Sequence, residues 1–403
     1  MPTPPAGPPA PSFPLPDRSG LEALLAKAFG VPVVLDRVEH LAPWAVLRAH
    51  LAGPEAGPPT HPAGPDHEPS ARPAGPNPGP PASVIVKWLR VHPSRSRTDA
   101  RQVVTERAAL RFLSEDLGLD LAPRVLADDM AASLLVLEDL APRTPLDQVL
   151  RRDGAVPPPA GLAAFARALG ELGAATAGHA ELYLARRPAV VVDLACPHTD
   201  AWRRAVEHAA GFGVALPSRA ETELARLLAE LADPGPFLAL TNGDAEANNF
   251  LTADGDGRLI DFEFAGYRHT LTSAVCLYVP GPAWLTVSDP IATGLEAGYR
   301  RALARGVPEA DDDRLFGFGL AAACLTWAAG RLTRFPTLDA RVPGENSRLQ
   351  LIFTLDAAAW TAENHRALPH LAGWARRAAQ ALRRRWPDAD VDRATYPAYT
   401  PRG

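Results

Sequence analysis

Asp244, Asn249 and Asp261 are the residues of this 403-residue chain whose types and spacing suit phosphoryl transfer. They lie in residues 241–264, TNGDAEANNFLTADGDGRLIDFEF. A turn signal, Ala253-Asp254-Gly255-Asp256-Gly257, separates two short runs, 249–252 and 258–262, that read as hairpin strands. Symmetric pairing about Gly255 sets Thr252 opposite Arg258 and Asn249 opposite Asp261. A carboxylate beside an amide oxygen suits a hard, oxygen-seeking cation such as Mg²⁺ that substrate phosphates also hold. Asp244 falls in the preceding loop at the mouth of the same site, where it can accept the proton of an attacking hydroxyl. Glu246, inside that loop, and Glu263, just past Asp261, are the candidates for contacting the acceptor; solvated loop carboxylates would explain them equally well.

A nucleotide needs a cation for its phosphates, and the chain offers one upstream. Ser83-Val-Ile-Val-Lys87-Trp is an apolar, β-rich run broken by a single lysine, and Lys27 and Lys87 are the only lysines beside 39 arginines. So strong an arginine bias suggests that lysine is kept where a compact ammonium does what a planar guanidinium cannot. The reading is a lysine on the third strand holding ATP phosphates. Glu106, on a following helix whose Val103, Leu110 and Leu113 face the sheet, is its expected ion-pair partner. A third piece, Leu134-Leu-Val-Leu-Glu138-Asp139-Leu140, reads as a strand where the two regions join; it can offer main-chain N–H and C=O groups to an adenine edge, and a plain strand leading to a loop explains the same residues.

The elements that position these residues divide into two regions. The pattern predicts a helix over 19–29, opened by a Ser19/Glu22 capping box and stopped by Gly30. Strands are expected at 32–38, 44–51, 83–90, 124–127 and 133–137, with a helix over 98–115. After Leu140 helices dominate, at 161–177, 200–210 and 219–231, with at least three more beyond the hairpin; the acidic run 309–313 reads as the N-terminal cap of a helix over 314–330. The fold class is therefore α+β: a small N-terminal lobe with an antiparallel sheet (19–139) and a larger, mostly helical C-terminal lobe (140–403). Nineteen of the 43 prolines fall in 2–16 and 53–82. A disordered N-terminus over 1–18 and a disordered insertion over 53–82 follow, since the insertion contains no Leu, Ile, Val or aromatic residue to offset the entropy of ordering it.

Composition narrows the function. A net charge of -5 with no basic stripe argues against a nucleic-acid partner. Cys196, Cys276 and Cys324 match no metal or disulfide spacing, and the N-terminus lacks a basic segment followed by an apolar one, so a reducing cytoplasm is expected. No membrane span is expected: the uncharged run 270–288 is broken by Pro280-Gly281-Pro282, and 315–330 reads as a buried helix.

Taken in order, Lys87, Glu106, Leu137-Glu138-Asp139, Asn242-Gly243-Asp244 with Asn249, and Ile260-Asp261-Phe262 resemble the signatures of the aminoglycoside phosphotransferase and choline kinase family within the protein-kinase-like fold. The resemblance covers about residues 19–290. It implies that Lys87 contacts ATP phosphates and pairs with Glu106, that Glu138, Asp139 and Leu140 form the adenine hinge, that Asp244 is the catalytic base, and that Asn249 and Asp261 bind Mg²⁺. Two departures stand out. Asn242 occupies the place where the family usually has His, and the segment between the first two strands, Glu39-His-Leu-Ala-Pro-Trp44, contains no glycine. The function so implied is ATP- and Mg²⁺-dependent transfer of a phosphoryl group to a hydroxyl of a small molecule, such as an aminoglycoside, amino alcohol or sugar. The alternative is a catalytically inactive, nucleotide-binding scaffold that kept the fold.

Overall fold

A computed structural model describes residues 17–42, 45–52, 80–88, 100–155, 159–187 and 196–403. The expected disordered segments 1–18 and 53–82 lie almost wholly outside them, as do Pro43 and Trp44 and the expected strand end at 89–90. The chain divides into a smaller unit, residues 1–111 and 123–140, and a larger one, residues 112–122 and 141–403.

In the smaller unit, helix α1 (Arg18–Phe29) is capped by Asp17, whose carboxylate accepts from the Gly20 N–H at 3.3 Å and the Ser19 hydroxyl at 2.7 Å. The expected Ser19/Glu22 capping box does not form. A carboxylate is the stronger acceptor at a helix N-terminus, and Glu22 is then free to accept from the Leu35 N–H at 2.9 Å, tying the helix to the first strand. Strands β1 (Leu35–Ala42), β2 (Val46–Leu51), β3 (Ser83–Trp88), β4 (Val125–Asp129) and β5 (Leu134–Glu138) form one antiparallel sheet in the order β1-β2-β3-β5-β4. Alternation buries Leu47, Ala49, Leu51, Val84 and Val86 in a core shared with Leu21 and Leu25 of α1. Ile85 and Lys87 therefore belong to the opposite face, with Lys87 paired to Val46 on one side and Leu135 on the other. A one-residue slip of β3 would drive the ammonium into the apolar core, so burial fixes the register. Helix α2 (Ala100–Arg111) is shorter than expected, because it runs into a π-helical turn, Phe112–Asp116, that belongs to the larger unit.

The larger unit contains β6 (Thr144–Pro145), α3 (Leu146–Asp153), α4 (Ala160–Thr176), α5 (Ala180–Arg186), α6 (Cys196–Gly211), α7 (Ser218–Ala232), β7 (Leu238–Thr241), β8 (Phe250–Ala253), β9 (Asp256–Leu259), β10 (Gly266–His269), α8 (Leu271–Tyr278), α9 (Leu295–Leu303), α10 (Asp313–Leu332), α11 (Phe335–Asp339), α12 (Asn346–Asn364) and α13 (Pro369–Arg385). The strands make two small antiparallel sheets, β6-β8-β9 and β7-β10. Helix α10 packs against α6, α8 and α12, and Asp312 caps it by accepting from the N–H groups of Arg314 (2.8 Å) and Leu315 (3.0 Å), within the acidic run expected to do so. This helix is long and apolar enough to cross a membrane, yet 72% of its apolar window is buried inside the protein.

The hairpin register departs from expectation. Phe250 pairs with Leu259, Leu251 with Arg258, Thr252 with Gly257 and Ala253 with Asp256. The turn is thus the two residues Asp254 (φ 50°) and Gly255 (φ 78°), both left-handed, and not a loop centred on Gly255. Such a turn matches the right-handed twist of its strands. Asn249 consequently stands opposite Ile260, whose N–H donates to the Asn249 carbonyl at 2.9 Å, and Asp261 is the next residue along.

Candidate active site

Within the smaller unit, Lys87 Nζ donates to Glu106 Oε1 at 2.7 Å, and the Glu106 side chain is only 4% exposed. Helix α2 packs on β4 and β5, which brings Glu106 to the lysine-bearing face of the sheet. The buried carboxylate limits the ammonium to a narrow set of rotamers, and Lys87 retains some exposure for a second anion. At the end of β5, Glu138 pairs with Arg124 at 3.1 Å and its N–H donates to the Arg124 carbonyl at 2.9 Å. Asp139 accepts from Arg48 at 2.7 Å and from Ser83 Oγ at 2.6 Å, and Leu140 is buried. Both acids turn back to arginines, Glu138 to Arg124 just before β4 and Asp139 to Arg48 of β2.

Within the larger unit, β7 leads into Asn242, Gly243 and Asp244. Gly243 has φ 79°, and a Cβ there would strike the carbonyl of Phe264, so the loop takes its path only with glycine. Asn249, at the end of the short turn Ala247–Asn249, donates from Nδ2 to the Asp244 carbonyl at 2.8 Å and to Asp244 Oδ2 at 3.2 Å. With its amino group so engaged, its Oδ1 is left as an acceptor, met by Asn248 Nδ2 at 2.7 Å. Asn242 is fully buried and donates to the Asp244 carbonyl at 3.4 Å, which props the loop from its other side. Asp261 adopts a left-handed φ of 64°, rare for a non-glycine residue, and follows directly on the bond between Ile260 and Asn249. The structure thus links Asp244 to Asn249 through side chains, and brings Asp261 beside Asn249 along the main chain.

Asp244 lines a cavity of about 520 Å³ that lies wholly within the larger unit. Glu246 lines it as well; Glu263 is not among its lining residues. The Glu246 carboxylate lies so close to Gly281 that any side chain there would collide with it. Burial, reinforced by the charge of Asp244, pushes the Glu246 carboxyl up to about 8, with Arg331 opposing. Glu246 therefore keeps its proton to a higher pH than an ordinary carboxyl does.

Sequence reasoning did not find the remaining polar wall. Arg187 follows α5, His198 sits in α6 and Arg268 in β10, and all three line the cavity with Asp244. The one local signal is Arg268 itself, placed seven residues after Asp261 in a strand that pairs with β7 and so returns beside the loop of Asn242, Gly243 and Asp244.

Residues 87–306 match the family model of the phosphotransferase enzyme family. No curated protein matches the chain. Solved structures similar to it include a choline/ethanolamine kinase family protein from Mesorhizobium loti, at 16% identity over 75% of this chain and 87% of that one, with a TM-score of 0.40. A choline kinase from Cryptosporidium parvum Iowa II is 10% identical over 87% and 94%, with a TM-score of 0.45. The macrolide 2'-phosphotransferase MphH from Brachybacterium faecium is 17% identical over 80% and 93%, with a TM-score of 0.44.

Proposed function

Because this chain belongs to the phosphotransferase enzyme family, we propose that it transfers the γ-phosphoryl group of ATP to a hydroxyl of a small molecule with the help of Mg²⁺. The observation that carries this reading is the grip of Asn249 on Asp244 at the wall of the 520 Å³ cavity. A base held by its carboxylate and its carbonyl is oriented before any acceptor arrives.

Asp244 aligns the acceptor hydroxyl and takes its proton. As it does so, the hydroxyl oxygen bonds to the γ-phosphorus and the bond from that phosphorus to the β–γ bridging oxygen breaks, leaving ADP and a phosphate monoester. Lys87, steadied by Glu106, holds phosphate oxygens of ATP, and Glu138 to Leu140 receive the adenine through main-chain groups. The donor set suits the ion: Asn249 and Asp261 offer hard oxygens, and no cluster of three or more His, Cys, Asp or Glu side chains able to hold a metal occurs among the described residues. A cation held there would draw its other ligands from phosphate and water, as Mg²⁺ does. When bound, Mg²⁺ neutralises charge on the transferring group. Glu246 and Glu263 are the candidate acceptor contacts.

ATP consumption by the purified protein, screened against small hydroxylated compounds with Asp244→Ala as control, tests the proposal. An enzyme loses turnover in the variant while still binding nucleotide; a catalytically inactive binding protein has no turnover to lose.

A further inference from the structure

Arg187 and Arg268 are two guanidinium groups in one recess, and neither pairs with a carboxylate among the described residues. Arg268 donates to the Phe264 carbonyl at 3.0 Å and to Thr241 Oγ1 at 3.3 Å, both neutral acceptors. Arg187 lies beside the Tyr183 hydroxyl, and its Nε is buried without a hydrogen-bond partner among the described residues. Several other arginines are matched by carboxylates: the neighbouring Arg186 pairs with Asp116 and Glu115, Arg48 with Asp139, and Arg385 with Asp339. Burial, with Arg187 adding like-charge repulsion, holds the Arg268 guanidinium below its ordinary value. Keeping two cations in a recess where neither is ion-paired among the described residues is costly unless an anion completes the set.

We infer that the acceptor is an anionic alcohol, whose carboxylate or phosphate group docks on Arg187 and Arg268 while its hydroxyl meets Asp244. This rests on the reading of the cavity as the acceptor site. Guanidinium groups bind planar or tetrahedral oxyanions through paired N–H donors, which a neutral sugar hydroxyl cannot exploit. The indole N–H of Trp327, buried without a partner on the wall of the same cavity, is a further donor. Asp244 and Glu246 are the acidic residues that line the same cavity. A polycationic or quaternary-amine acceptor would meet two guanidinium groups that have no ion-pair partner among the described residues. The volume suits a molecule of a few carbons up to a sugar acid or sugar phosphate.

Small hydroxylated probes of different charge test the inference in two arms. In the first, binding of glycerate, glycerol 3-phosphate, glycerol and choline to the full chain is measured by titration calorimetry. The anionic pair is expected to bind in preference to the other two, with the stronger of the pair distinguishing carboxylate from phosphate. Arg268→Gln and Arg187→Gln, which lie on different elements so that one folding failure does not decide the matter, are each expected to weaken anion binding roughly tenfold. Glycerol or choline binding at least as well as the anions, or anion binding unaltered in both folded variants, overturns the inference. In the second arm ATP turnover is followed with the same compounds. Preferential turnover of glycerol or choline refutes an anionic acceptor and leaves the phosphotransfer reading intact. Anion binding that depends on the arginines, with no alcohol turned over, refutes phosphotransfer and leaves the anion site standing.

Discussion

Lys87 and Glu106 stand as a nearly buried ion pair at 2.7 Å, and the cost of separating them should be measurable without any substrate. Lys87→Met leaves the buried carboxylate without its ammonium partner and is expected to cost about 3 kcal/mol of stability in urea unfolding; adding Glu106→Gln should return part of it, as a double-mutant cycle reads out. Glu246 gives a second test. Its ordinary value is 4.5 and in the folded protein it is about 8, so between those values the unfolded chain releases a proton that the folded chain keeps. Stability attributable to this group is full below about 4.5, falls as pH rises, and levels off above about 8. Relative to Glu246→Gln, the wild type should lose on the order of 4 kcal/mol across that window, read from denaturant midpoints at stepped pH. Legibility at this scale followed sequence distance. Asp244 and Asn249 stand five residues apart in a single loop, and Lys87 stood out by composition. Arg187, His198 and Arg268 come from three elements, and only folding puts them on one wall.

The loop that carries Asp244 depends on one glycine, Gly243. Gly243→Ala forces a side chain into a left-handed position against the Phe264 carbonyl, and is expected to destabilise the protein by about 1–3 kcal/mol and to remove most ATP turnover, checked by thermal melts and steady-state kinetics. Hairpin existence was readable from Asp-Gly, but its register was not. Two aspartate-glycine steps, Asp254-Gly255 and Asp256-Gly257, compete for the turn, and the choice is decided by backbone twist and by Leu259 and Phe250 going inward together. Helix α1 shows the same kind of substitution: Ser19 and Glu22 fit a capping box, yet Asp17 is the better cap and Glu22 has the Leu35 N–H within reach. Local signals located these elements; competition between near-equal polar partners set their ends.

Across the whole chain, the α+β architecture was visible because period-two and period-3.6 patterning change over near Leu140, where the smaller unit ends. Reassignment of 112–122 to the larger unit was not visible, since α2 and the turn after it share one apolar stripe. The proline-rich stretch between β2 and β3 is proposed to be dispensable for the fold: the Leu51 N–H donates to the Ala82 carbonyl at 2.9 Å and His50 pairs with Ser83, so its ends already meet. Replacing residues 53–80 with Asn-Gly should keep the melting temperature within about 4 °C, a change worth roughly 1 kcal/mol. The central claim is that Asp244 is the base of an ATP-dependent phosphotransfer to an alcohol. Its most direct test is acceptor-stimulated ATP turnover of the wild type beside Asp244→Ala, with nucleotide binding measured on both. The account predicts stimulation by at least one small alcohol, a fall of roughly 10²–10⁴-fold in the variant, and nucleotide affinity retained. Equal turnover in the two proteins, or no alcohol that raises wild-type turnover above the variant, would contradict it.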